Sequence, residues 1–342
     1  MSNAPQPTPV RIFETFQAYQ RTAALKTAIE LDLFTAIGEG ADTAAALAGK
    51  AGAAERGVRI LCDFLTILGF LEKDAKDAKQ GGRYKLAADS ALFLDRRSPY
   101  YLGSIARFLG EPELQQRYWV LTETVRRGGA APEQTSTAAE HPMWVEFARG
   151  MAPLMMPAAQ NIAAILRAAE SGPCKVLDIA AGHGAFGITL AHQNKQAEVT
   201  AVDWRNVLEV ALENAHRAGL EGRYFTRPGS AFEVDFGSGY DVALLTNFLH
   251  HFDVPTNVGL LKKVHAALKP GGRAVVLEFV PNDDRVTPPV PAAFAMMMLG
   301  STEKGDAYTY AELEAMARQA GFASCELHAL AASPEHVVLA RK

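Results

Sequence analysis

Two short stretches of this chain hold residue types able to do chemistry. The first, "LDIAAGHGAFG", sets Asp178 ahead of Gly182, Gly184 and Gly187, and Asp203 follows roughly 20 residues on, at the end of the next apolar run. A GxGxxG turn between a strand and a helix offers backbone N–H groups at a helix start, and an acid closing the second strand suits ribose hydroxyls. The glycines alone do not choose between ligands. Asp178 does: a carboxylate at the end of the first strand repels a pyrophosphate, as of a nicotinamide dinucleotide, and attracts the ammonium and sulfonium of S-adenosylmethionine, which carries no phosphate.

The second stretch, "NFLHHF", puts His250 and His251 side by side at the end of an apolar run. They could supply a base, a metal site or plain packing. If "VALLTNFLHH" is a strand running to its C-terminal end, consecutive side chains point to opposite faces, so only one histidine reaches a site beyond the carboxyl ends of the strands. A metal would need both rings to converge, and no Cys/His/carboxylate cluster stands nearby to complete a shell, so no metal is expected. The run "AVVLEF" brings Glu278 to the same end of the sheet.

The elements that must position these residues follow from the apolar pattern. After Lys175, "KVLDIA", "EVTAVDW", "YDVALLTNFL" and "GRAVVLEFV" alternate with helical stretches, as strands buried on both faces do. "SCELHAL" and "EHVVLARK" are separated by a short turn, so the last pair is antiparallel. The expected fold is α/β: a Rossmann-like doubly wound sheet with an antiparallel last strand, preceded by a mostly helical domain. In that first part, residues 10 to about 70 read as helices. Ile60, Leu61, Phe64, Leu65 and Leu68 share one face, and a hairpin around Gly81 and Gly82 follows. Helix, helix, hairpin is the order of a winged helix. The polar stretch "GGAAPEQTSTAAEHP" divides the chain into domains 1–127 and 128–342.

Composition removes several classes. Net charge is -4 with both signs interspersed, which gives no footprint for nucleic acid or an anionic membrane. The helix at 54–68 carries Glu55, Arg56, Arg59 and Asp63, a mixed face rather than a basic one. No stretch reaches the roughly 18 to 20 apolar residues of a bilayer span. Cys62, Cys174 and Cys325 show no metal or redox spacing, which fits a reducing, cytoplasmic setting.

In order and spacing, "LDIAAGHGA", "VDW", "GSAF", "FLHHF" and "KPGGRAVVLE" resemble the class I S-adenosylmethionine-dependent O-methyltransferases with an N-terminal winged-helix dimerisation domain. That family includes plant caffeic-acid-type and acetylserotonin enzymes and bacterial secondary-metabolite enzymes. The resemblance implies a homodimer that methylates a hydroxyl, a phenol by expectation, on a small aromatic acceptor. It puts Asp178, Ala180, Gly182 and Gly184 in the cofactor loop and Asp203, with Trp204 after it, at the ribose. Ser230 and Phe232 fall at the adenine and Thr246 near the cofactor tail. His250 falls on the general base and Glu278 on the carboxylate that orients it. A neutral imidazole takes the acceptor's proton while the carboxylate fixes its tautomer. Met143, Phe147 and Met151 share one helical face and, with Met298, match the family's acceptor wall; such a stripe serves equally as core.

The chain also departs from the family. Ala307 stands where a second glutamate is common, Ser230 replaces the adenine acid and Phe252 a tryptophan. Ala180 and Ala181 replace two glycines, which requires φ to stay negative there. A C- or N-methyltransferase of the same fold and a winged-helix ligand-responsive regulator are the alternative readings.

Overall fold

Helical periodicity from Val10 onward is realised as a run of short helices in the computed structural model, which describes residues 7–74, 81–132, 135 and 140–342. These are α1 (Val10–Phe16), α2 (Ala18–Glu30), α3 (Leu33–Gly38), α4 (Ala44–Ala51) and α5 (Glu55–Ile67). Thr43 opens α4 by accepting the Ala46 N–H on Oγ1 at 3.3 Å, and Gly52 closes it in the left-handed conformation. The buried face of α5 is Val58, Cys62 and Leu65. That corrects the expected face: Leu61 and Phe64 are half-buried, but Ile60 is 43% exposed.

Strands β1 (Leu71–Asp74) and β2 (Arg83–Leu86) pair antiparallel, as the hairpin expectation requires; the residues between them at 75–80 lie outside the described residues. Buried Tyr84 donates its hydroxyl to Asp63 at 2.7 Å, and Lys73 Nζ reaches the same carboxylate oxygen at 2.5 Å, which ties the hairpin to α5. Helices α6 (Ala88–Phe93) and α7 (Ile105–Leu109) complete this unit. Helix α1 buries no residue.

The chain divides into two compact units between Glu111 and Pro112. The expected division at 127/128 lies later, because α8 (Pro112–Trp119) and α9 (Leu121–Arg127) pack on a helix of the second unit, α14 (Pro289–Ser301). Of the expected linker, residues 133, 134 and 136–139 lie outside the described residues. Next come α10 (Met143–Ile165), β3 (Cys174–Ile179), α11 (Ala185–Gln193), β4 (Ala197–Asp203) and α12 (Arg205–Arg217). Then follow β5 (Tyr224–Pro228), β6 (Tyr240–Thr246), a 3-10 turn (Leu249–His251), α13 (Val254–Ala267) and β7 (Leu268–Glu278). After α14 the chain ends with α15 (Tyr310–Gln319), β8 (Ser324–Ala329) and β9 (His336–Arg341).

The sheet order is β5-β4-β3-β6-β7-β9-β8, parallel except for β9, which runs antiparallel to both β7 and β8. The unbroken apolar runs have their reason in packing on both sides. Val176, Leu244, Val275 and Leu277 face α10 and α11, whereas Leu177, Leu245 and Val276 face α13 and α15. β5 escapes the apolar signal because it is an edge strand: in "YFTRP" only Tyr224 is buried. Because β3, β4, β6 and β7 are parallel, their carboxyl ends bring Asp178, Asp203, Thr246 and Glu278 to one side of the sheet.

Candidate active site

The glycine loop is built by its backbone angles. Ala180, Gly182 and Gly184 all have positive φ, at 54°, 56° and 74°. The value at Ala180 overturns the expectation that φ stays negative there; the alanine sits in the left-handed region at a cost of roughly 1–2 kcal/mol. Glycine is required further along for space. A Cβ at Gly184 would stand 2.6 Å from the Tyr224 hydroxyl, and one at Gly187 would stand 2.7 Å from Asp178 Oδ2.

Asp178 is wholly buried behind this loop, where Oδ2 accepts the Gly187 N–H at 3.1 Å and Oδ1 has no partner. Burial, reinforced by nearby Asp203, pushes its carboxyl up to about 8 against the pull of the Gly187 N–H. Asp203, at the end of β4, is half-buried: Oδ2 accepts the Gly182 N–H at 2.8 Å and Oδ1 the Trp204 N–H at 2.7 Å. Burial raises it to about 6, opposed by those two N–H groups. Each oxygen has used one of its two acceptor positions, so Asp203 can still take two hydroxyls. Trp204 packs beside Val207 and Val210 of α12.

Ser230 accepts the Phe232 N–H on Oγ at 3.3 Å, turning the loop so that Phe232 stays 39% exposed with its edge on Phe252. Lys263 of α13 fixes that loop from behind, donating to the Ala231 carbonyl at 2.9 Å and lying over the Phe236 ring. Thr246 is buried at the end of β6.

The histidines are not on a strand. β6 ends at Thr246, Asn247 turns the chain at φ 55°, and His250 and His251 lie in the 3-10 turn. The alternating-face argument therefore fails in its premise. Their inequivalence has another cause. His250 is 5% exposed, and its Nδ1 lies 2.5 Å from Oε2 of Glu278, itself 2% exposed. The other oxygen of Glu278 accepts three backbone N–H groups, from Phe248 at 3.1 Å, Leu249 at 2.8 Å and His250 at 3.3 Å. The tightness of the turn makes that convergence possible, and it holds the carboxylate as an acceptor from the imidazole. His251 has no partner on Nδ1 and sits edge-on among Trp144, Phe248 and Phe252. Burial first, then its neighbour His250, drives its pKa well down, so it packs as a neutral ring.

Three groups near His250 carry no sequence motif. Phe294 of α14 meets the imidazole in a T-shaped contact, ring centroids 4.8 Å apart. Asp306 donates its N–H to the His250 carbonyl at 3.0 Å, and Asn257 donates to the carbonyls of Leu249 and Phe252 at 2.9 and 3.1 Å. Ala307 is buried, and the GDAYT segment supports the histidine turn through backbone contacts. Met143, Phe147 and Met151 lie half-buried along α10, Met151 against the core, and Met298 is buried in α14. Among the described residues no group of three or more His, Cys, Asp or Glu side chains is placed to hold a metal ion, and no helix is long and apolar enough to cross a membrane.

Comparison with known proteins gives the family of the chain. The O-methyltransferase dimerisation domain matches residues 13–96, and the O-methyltransferase domain matches residues 135–323. A 3-hydroxy-5-methyl-1-naphthoate 3-O-methyltransferase of Streptomyces sahachiroi is 31% identical over 88% of this chain and 86% of its own. The tetracenomycin polyketide synthesis 8-O-methyl transferase of Streptomyces glaucescens is 28% identical over 98% of this chain and 97% of its own. Among solved structures, a protein of Nostoc punctiforme assigned to the O-methyltransferases superposes at a TM-score of 0.93 with 48% identity, covering 99% of this chain and 100% of its own. The chain belongs to the O-methyltransferase family, with both its dimerisation and its methyltransferase domains.

Proposed function

We propose that this protein transfers the methyl group of S-adenosylmethionine to a phenolic hydroxyl on a fused-ring or otherwise flat aromatic acceptor, with His250 as the base. The observation that carries the reading is the short hydrogen bond between His250 Nδ1 and a Glu278 carboxylate pinned by three backbone N–H groups.

The loop residues fit the cofactor. Asp203 keeps two acceptor positions for ribose hydroxyls, Phe232 exposes a ring for the adenine, and Asp178 has one carboxylate oxygen without a partner. Wholly buried and raised to about 8, Asp178 keeps its proton in the cofactor-free chain near neutral pH, and a cation bound beside it favours the carboxylate form. S-adenosylmethionine, when bound, supplies a methyl group on a sulfonium. The remaining work falls to the protein. With Nδ1–H donated to Glu278, the lone pair of His250 is on Nε2, the atom that receives the phenol proton as the oxygen becomes nucleophilic. Glu278 then stabilises the imidazolium. Trp144 and Phe147 on α10 and Phe294 on α14 bring flat apolar rings beside the histidine turn, which suits an aromatic acceptor. Relatives named for naphthoate and tetracenomycin substrates support that class. The apolar face of α1, with Phe13 and Phe16 exposed inside the matched dimerisation domain, supports a homodimer.

The test is transfer from methyl-labelled S-adenosylmethionine to naphthols and hydroxynaphthoates. His250→Ala lowers turnover at least about 100-fold while S-adenosylhomocysteine binds as before. Undiminished turnover would remove the base, and silence in calorimetry would remove the cofactor.

A further inference from the structure

The contacts around His250 close into a ring. On its N–H side the histidine turn is gripped by Glu278, the last residue of β7. On its carbonyl side it is gripped by the segment 304–308. The Asp306 N–H donates to the His250 carbonyl at 3.0 Å, the Tyr308 hydroxyl donates to the Phe252 carbonyl, and Lys304 Nζ lies 3.4 Å from Asp253 Oδ2. Gly305 is pressed so close that a Cβ there would stand 2.2 Å from the His250 carbonyl oxygen and 3.0 Å from the His251 carbonyl carbon.

One side chain joins the two grips. Arg285 stands in the loop that leaves β7 after Glu278, with φ at 56°, uncommon outside glycine. The loop fixes that conformation itself. The Asn282 N–H donates to the Thr287 carbonyl at 2.7 Å and the Arg285 N–H to the Asn282 carbonyl at 2.9 Å, while Asp284 Oδ1 accepts the Val286 and Thr287 N–H groups at 2.9 Å each. The guanidinium is thereby presented to the segment beside the histidine turn. Its Nη1 donates to Asp306 Oδ2 at 3.1 Å and to the Ala307 carbonyl at 3.4 Å, and its Nη2 to Glu312 Oε1 at 2.6 Å. Glu312 in turn closes the capping box of α15 with Thr309. The Arg285, Asp306 and Glu312 side chains are 43%, 39% and 36% exposed, so their ion pairs add little to folding. A planar fork spread over three acceptors fixes direction instead.

We propose that Arg285 is a positioning residue, whose guanidinium holds the segment 305–308 against the His250 carbonyl and so aims the imidazole at the acceptor hydroxyl. The inference rests on His250 being the base. Glu278 holds the ring by Nδ1 and the turn by its N–H groups; Arg285, carried on the same strand's continuation, holds the turn by its carbonyl through Asp306. Ala307 brings no carboxyl to the base, and its backbone carbonyl serves as one of the three acceptors that seat Arg285.

The test uses the full chain. Arg285→Ala is expected to lower kcat by roughly tenfold, with KM for either substrate and S-adenosylhomocysteine affinity within about twofold of wild type, because the binding groups stay in place while the base is misaimed. Its unfolding midpoint in denaturant is expected to stay near wild type. Arg285→Lys keeps the charge without the fork and is expected to have a kcat between the two. Adding Asp306→Ala to Arg285→Ala is expected to cost less than the product of the two separate losses, since both break the same link. Wild-type kcat in Arg285→Ala or Arg285→Lys would overturn the proposal. So would strictly multiplicative losses, or a kcat loss matched by weaker S-adenosylhomocysteine binding, a lower unfolding midpoint or failure to fold. If His250→Ala turns over normally, the base reading falls, whereas the nitrogen–proton spectrum of the labelled imidazoles still judges the clamp. There the His250 signal, identified by its absence from His250→Ala, is expected to shift or broaden in Arg285→Ala, and an unmoved signal would overturn the clamp itself.

Discussion

Glu278→Gln is the substitution that separates geometry from charge at this site. The carboxylate accepts four N–H groups, three on Oε1 and the imidazole Nδ1–H on Oε2. An amide of the same shape has only one acceptor oxygen. Three converging backbone donors outweigh one, so the glutamine oxygen takes the Oε1 place and its NH₂ faces Nδ1. That ring nitrogen must then become the acceptor, which moves the proton to Nε2, the atom that should receive the phenol proton. The base is present but in the wrong tautomer. Loss of general-base catalysis corresponds to roughly 100- to 10,000-fold in turnover, and a wrong-tautomer substitution in another fold sits near the upper end, about 10,000-fold. Folding loses one charge-assisted hydrogen bond, about 1.5–3 kcal/mol. The assay is single-turnover methyl transfer, with S-adenosylhomocysteine affinity by calorimetry and unfolding by denaturant measured in parallel. A variant within a few-fold of wild type would refute the tautomer argument, whatever its stability.

Four further outcomes follow from the same geometry. Because Asp178 rises from the ordinary 3.8 to about 8 on folding, the native chain keeps a proton that the unfolded chain has released. Its contribution to stability is full below about pH 4 and is lost as pH rises toward 8, by at most about 1.4 kcal/mol per pH unit. Asp203, raised to about 6, adds to the lower half of that window. Cofactor-free protein should melt at lower temperature at pH 8 than at pH 5, and Asp178→Asn should flatten the dependence; an equal slope in the variant would contradict it. Gly187→Ala drives a methyl group to 2.7 Å from Asp178 Oδ2 and 2.8 Å from Val199 Cγ1, and should cost about 1–3 kcal/mol by denaturant unfolding. Ala180→Gly, which relieves a φ of 54°, should be neutral or stabilising by less than about 1 kcal/mol. His251→Phe keeps the edge-on packing against Trp144 and should leave turnover within a few-fold of wild type, whereas a collapse of turnover would give His251 a chemical role.

What the sequence discloses depends on how far the cause reaches along the chain. The strands β3, β4, β6 and β7 are legible because each is buried on both faces over most of its length, so residues of both faces report the same apolar environment. β5 is not, because an edge strand with solvent on it carries mixed residues. The glycine loop and Asp203 are legible because backbone angles and a single acid fix them locally. The His250–Glu278 pair is a long-range fact, and composition or periodicity alone could not join the two ends of that hydrogen bond; family resemblance could. Strand alternation gave the right inequality between the histidines from the wrong geometry, since the chain leaves β6 at Thr246. Asn247 held the available signal, because asparagine tolerates the left-handed region better than most residues, and an asparagine between an apolar run and a polar pair argues for a turn. Glu335, buried at the entry to β9, has no such signal. Its surroundings in "ASPEHVV" read as a turn and a strand start, and its burial follows only from β9 inserting antiparallel beside β7, which sets it next to a carboxylate sequenced far before it. A charged residue at a strand entry ordinarily faces water. Here the sheet order reverses that expectation, so the residues least legible from sequence are those whose environment is made by the last strand to join.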